Sequence, residues 1–251
     1  NKKTQRVGPV SGPGSGGGKD MEKRIWELDA ARGLALMGMM GIHLIYDLVE
    51  LYRVWSWNPQ WYQVFKNNYG LIFLVISGIS VTLGRHPVKR GLQVFCCGGL
   101  CTLATYGMYR LGFAGKDIII YIGVLQCLGL CMMLWPVFKK LPSPGLVLLA
   151  GAMVILGLWL RTVSFSFPWL TVLGFAPYGF ASSDYFPLFP NLGYFLLGAV
   201  AGRAVYEKKR SVYPMDPAPM PVLRWLGRHS LLSYLLHQPI LAAAVWAVTA
   251  L

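Results

Sequence analysis

Between Arg24 and Glu50 the chain reads RIWELDAARGLALMGMMGIHLIYDLVE, a stretch long and apolar enough to cross a bilayer yet studded with side chains that lipid does not tolerate. A crossing takes roughly 20 residues at about 1.5 Å of rise each. Within that length stand Asp29, Arg32, His43, Asp47 and Glu50. At roughly 100° per residue the five fall inside an arc of about 60°, so one narrow stripe is polar and the rest of the helix is greasy. A charge in the hydrocarbon costs several kcal/mol unless it faces a bundle interior or a wet cavity. The stripe is therefore expected to line an internal path, with Arg32 and His43 about 16 Å apart along its wall.

The rest of the chain repeats the apolar theme without the charges. Hydrophobic residues make up 55% of the 251 and charged residues only 13%, the composition of a membrane protein. The expected fold is all-α, a polytopic transmembrane helix bundle of about seven spans. After the first span they run over about Gly70–Leu83, Gly91–Tyr109, Ile118–Phe138, Leu146–Leu160, Tyr185–Tyr206 and His229–Val248. Residues 161–184, aromatic and broken by Pro168 and Pro177, read as a re-entrant or interfacial segment. Residues 1–20, rich in Gly, Ser and Lys, read as a disordered cytoplasmic tail, and 21–251 as one transmembrane domain whose first helix is an uncleaved anchor.

The net charge of +13 does not indicate nucleic acid, because no basic module interleaved with aromatics exists. Lys and Arg instead follow topology: seventeen fall on the N-terminal side of the spans and five on the other. By the positive-inside rule the N-terminus is cytoplasmic and the C-terminus outside, in the plasma membrane. Trp55, Trp57, Trp61, Tyr62, Trp169 and Tyr178 then crowd the outer face, as an interfacial belt or as a platform for stacking a sugar. The five cysteines all lie in apolar segments and read as small buried hydrophobes, with no metal expected.

Chemistry is concentrated in few residues. His43 and His237 lie within spans, where the plain alternative is a helix-to-helix hydrogen bond. Asp47, one turn from His43, is placed to orient that ring as a general base. Arg32, one turn from Asp29, is either half of an internal ion pair or, with it, an anion site for a phosphorylated cytosolic donor. Gln126 and Asn191, polar residues inside spans, are candidate substrate ligands or helix bridges, as is His237, which shares a face with Ser230, Ser233 and Tyr234. There is no P-loop, no G-x-G-x-x-G after a strand, no G-x-S-x-G elbow and no H-E-x-x-H, which disfavours ATP-driven and redox work.

The blocks WELDAARGLALMGMMGIH at 26–43, LIFLVISGISVTLGR at 71–85, IGVLQCLGLCMML at 122–134, DYFPLFPNLGYFLLGAVAGR at 184–203 and LRWLGRHSLLSYLLHQPIL at 223–241 are similar, in order, to the heparan-alpha-glucosaminide N-acetyltransferase catalytic-domain family in its bacterial form. The resemblance implies an enzyme of the bacterial inner membrane that takes an acyl group, acetyl above all, from cytosolic acyl-CoA. The acceptor, commonly a sugar or glycan, would receive it at the opposite face. On this reading His43 is base or acyl carrier, and Arg32, with Arg85, Arg203 and Arg228 at the inner mouth, holds coenzyme A phosphates. Eukaryotic members place their catalytic His in the loop after the first span; residues 51–68 contain none, and His43 is the residue left for the role. Two other classes compete: a transporter or flippase with His43 and Asp47 as a proton relay, and a non-catalytic scaffold whose stripe is a packing seam. Assembly into a homo-oligomer is left open.

Overall fold

The computed structural model describes residues 25–57, 59–165, 168–215 and 219–249; the tail at 1–20 lies outside the described residues. Helix α1 (Trp26–Tyr46) carries Glu27 and Asp29 in its first turn, where carboxylates complement the helix dipole, and runs on as a π-helical turn over Asp47–Leu51. Next come α2 (Gln60–Asn68) and α3 (Gly70–Val81), joined at Tyr69 into one rod of 22 residues. They are followed by α4 (Pro87–Arg110), α5 (Val124–Phe138), α6 (Ser143–Leu160), α7 (Leu188–Val205), α8 (Pro221–Arg228) and α9 (Ser230–Thr249). Proline at the first turn of α4 and α8, where its missing N–H is no loss, marks where those helices start. Among the described residues six helical segments are long and apolar enough to span a membrane, and α5 is a shorter apolar helix among them. The molecule is a polytopic helical bundle.

Two span starts and one connector differ most from those expected. The second span begins at Gln60, not Gly70, because the aromatic stretch WYQVF is itself helical and feeds α3 without a break. The fourth begins at Val124, not Ile118. Ahead of it Ile118 to Gly123 run irregularly beside residues 182–186: Ile122 bridges Tyr185, the Phe186 N–H donates to the Ile122 carbonyl at 2.8 Å, and the Ser182 and Ser183 hydroxyls donate to Ile119 and Ile118. Asp184 accepts the Val124 N–H at 2.9 Å, capping α5. Side chains thus satisfy a non-helical backbone that lipid alone could not. Finally, the connector before the last span contains α8.

Residues 161–184 form no long helix; their one helical piece among the described residues is a 3₁₀ turn at Pro168–Val172. The core lies where α3, α5 and α7 meet, around Leu74, Cys127, Cys131, Leu192, Phe195 and Leu196. Glycine allows the closest approaches. A Cβ on Gly78 would strike the Phe195 carbonyl and one on Gly198 the Val75 carbonyl, so α3 and α7 pack backbone to backbone. The same device joins α1 to α8, where Gly33 meets Leu223 and Gly227 meets Asp29. That contact brings the foot of α9 against the polar stripe.

Candidate active site

The stripe of α1 faces inward. Asp29 and Asp47 are buried, and Arg32, His43 and Glu50 are partly so. At the N-terminal end Arg32 donates to Asp29 Oδ1 at 3.0 Å and to Ser80 Oγ of α3 at 2.6 Å, while Arg228 Nε lies 3.5 Å from Asp29 Oδ2. One carboxylate is thereby shared by two guanidiniums, which leaves the group net positive. It forms part of the wall of a cavity of about 880 Å³. Among the described residues, Arg32, Arg85, Arg90, Lys209 and Arg228 line this cavity against the single carboxylate of Asp29. Deeper in, the lining turns apolar with Phe73, Ile76, Leu128 and Leu235. A basic mouth and an apolar floor suit a ligand with an anionic head and a slender, less polar arm.

The floor leads to the histidines. Phe73 packs on Tyr234 with ring centroids 6.4 Å apart, Tyr234 on His237 at 5.4 Å, and His237 on His43 at 4.8 Å, edge to face. His237 Nδ1 is hydrogen-bonded to the Tyr234 carbonyl. Asp47 does not turn to His43: the Gln238 amide donates to its Oδ1 at 2.8 Å. The physical reason is local, since Asp47 opens the π-helical turn and meets α9 where Gln238 arrives. Glu50, further along, pairs with Lys66 of α2 at 2.6 Å.

The remaining candidates are placed elsewhere. Arg203 donates to the carbonyls of Lys139 and Leu141, both at 2.7 Å, and covers the Trp135 ring; it closes the C-terminal end of α5 and does not line the cavity. Gln126 is fully engaged between α4 and α5, donating to the Gly98 carbonyl and Thr102 Oγ1 and accepting from the Gly123 N–H. Asn191 is buried, donating to the Pro187 carbonyl at 2.7 Å. Neither touches the cavity. Sequence reasoning had no signal for Ser80 or Gln238, and Arg90 and Lys209 were visible only as topological charges.

At the opposite end of the bundle Trp55, Trp57 and Trp61 pile together, with centroids 5.1 and 5.4 Å apart. Nearby segments bound a second cavity of about 720 Å³ lined by Tyr121, Trp169, Tyr178 and Phe180 with Lys116 and Asp117. No cluster of three His, Cys, Asp or Glu able to hold a metal occurs among the described residues.

A family model described as heparan-alpha-glucosaminide N-acetyltransferase, catalytic, matches residues 24–239. The chain belongs to this family. No match was found among curated proteins or among solved structures. The part of the chain that aligns with the heparan-alpha-glucosaminide N-acetyltransferase family runs from the approach to α1 through Pro239 in α9, so it takes in the basic cavity and both intramembrane histidines. Membership implies membrane acyltransferase-like chemistry.

Proposed function

We propose that this protein is an integral-membrane acyltransferase that takes an acyl group, acetyl in the first instance, from cytosolic acyl-CoA and delivers it to a sugar or glycan at the outer face. One observation carries the reading: a basic cavity at one end of the bundle whose apolar floor is joined, ring edge to ring face, to His237 and His43. In this reading Arg32, held by Asp29 and Ser80, grips the phosphates together with Arg85, Arg90, Lys209 and Arg228. Charge-assisted hydrogen bonds from a planar guanidinium suit that task. Bound acyl-CoA supplies a thioester, an acyl group already activated for transfer. His43 takes the proton of the incoming amine or hydroxyl, a role worth about 10² to 10⁴ in rate. The Asp47–Gln238 hydrogen bond ties the π-helical turn after α1 to α9, the helix that carries His237.

The acceptor arrives from the opposite face, where Trp169, Tyr178 and Tyr121 offer rings for a sugar to stack on. The basic end is cytoplasmic and the aromatic end outside, in a bacterial inner membrane, and residues 21–251 act as one domain. The reading is tested with detergent-purified protein by acetyl-CoA binding and slow hydrolysis. Saturable binding that weakens in Arg32→Ala, with turnover lost in His43→Ala, is the expected result; a folded wild type that binds no acetyl-CoA overturns it.

A further inference from the structure

Resting on the acyltransferase reading, the geometry points to a second catalytic histidine: we infer that His237 Nε2 carries to the coenzyme A sulfur the proton that His43 takes from the acceptor. The first ground is the tautomer. A backbone carbonyl can only accept, so the contact between His237 Nδ1 and the Tyr234 oxygen puts the ring hydrogen on Nδ1. Nε2 is then the bare nitrogen. It is buried and has no hydrogen-bond partner among the described residues, in a residue only 6% exposed. Buried polar atoms are nearly always paired, and an orphan of this kind at a ring-to-ring contact with a second histidine calls for a function.

The second ground is the company it keeps. Asp47 Oδ2 and Gln238 Oε1 are also buried without hydrogen-bond partners among the described residues. Asp47 and Gln238 are hydrogen-bonded to each other, and Gln238 follows His237 in α9, so three buried acceptors are left open along this part of α9 and its contact with Asp47; groups that fill them bring hydrogens, as an amine or hydroxyl does. The third ground is position. His237 stands between His43 and the basic cavity, linked to the cavity floor through Tyr234 and Phe73. The division of labour follows from that order. The acceptor gives its proton to His43 as its nitrogen or oxygen bonds to the acyl carbon. The carbon–sulfur bond breaks, its electron pair goes to sulfur, and the proton passes by His237 Nε2 to the same sulfur. Neither histidine changes over the cycle, and the acceptor has exchanged one hydrogen for an acyl group.

The test compares wild type with His237→Asn in the full chain purified in detergent. The asparagine amide can stand where Nδ1 stands and keep the bond to Tyr234, but has no base at the Nε2 position. Acetyl-CoA affinity and melting temperature are expected to stay within about twofold and a few degrees, while acetyl-CoA hydrolysis falls by about a hundredfold or more. Independently of turnover, ¹⁵N NMR of histidine-labelled wild type is expected to show His237 protonated at Nδ1 and bare at Nε2. Near-normal hydrolysis in His237→Asn, or a proton found on Nε2, overturns the proposal while leaving the acyltransferase reading intact. Failure of wild type to bind or hydrolyse acetyl-CoA overturns that reading, and this assignment with it.

Discussion

Arg32 and Arg203 show how little a residue type says before its neighbours are known. Both are arginines near helix ends that the family resemblance offers to coenzyme A phosphates, Arg32 ahead of Arg203 because topology alone explains the latter. Arg32 is held in the cavity wall by Asp29 and Ser80, whereas Arg203 is spent on the Lys139 and Leu141 carbonyls. Arg32→Ala is expected to weaken acetyl-CoA binding by about 1.5–3 kcal/mol, roughly ten- to a hundredfold in Kd by calorimetry. Arg203→Ala is expected to leave that Kd unchanged and to lower the melting temperature, because the last turn of α5 loses its cap. Equal losses of affinity in the two variants would remove the distinction. What made the inward stripe legible was periodicity, since spacing along one helix fixes which side chains share a face. Periodicity is silent about partners: Ser80 lies 48 residues from Arg32 and Gln238 lies 191 from Asp47, and nothing local announces either.

At the scale of elements, the sequence revealed apolar length well and helix ends poorly. In sequence the span over 60–81 looks short because Trp61, Tyr62 and Phe65 resemble an interfacial loop in composition while helical in spacing. α5 looks long because Ile118 to Ile122 are as apolar as a helix, and the serines and aspartate that hold them out of one lie some 60 residues away. Asp184 is the titrating part of that support. Burial pushes its carboxyl up to about 6 from its ordinary value near 4. Between those values the folded chain holds a proton that the unfolded chain releases. Its contribution is therefore fully present below about pH 4 and is lost as pH rises through about 6. Relative to Asp184→Asn, whose amide can still accept from Val124, wild type is expected to lose on the order of 2 kcal/mol of stability from pH 4 to 7; parallel melting curves would refute this. The α1–α8 contact makes a further prediction. Gly227→Ala sets a methyl against the Asp29 backbone and is expected to cost about 1–3 kcal/mol by thermal melting. It should also weaken acetyl-CoA binding, because Arg228 is drawn off Asp29.

Taken whole, the bundle is polarised. Its basic cavity and its aromatic cavity lie at opposite ends, and a reporter can say which end faces the cytoplasm. Alkaline phosphatase fused after Gly112 is expected to be active and the same fusion after Lys209 inactive; the reverse pattern would put the acyl-donor cavity outside. The brevity of α5 has an electrical consequence. Its 15 residues span about 22 Å, against about 30 Å for a bilayer's hydrocarbon, and the irregular, hydrogen-bonded chain ahead of it lines the second cavity. Where that cavity admits water, the insulating layer is thinner than the lipid on either side. The membrane potential then falls over a shorter distance, and the local field is steeper by about a third. Charge moved along the axis of this protein feels that steeper field, so turnover measured in energised vesicles becomes a quantity to compare with turnover in detergent.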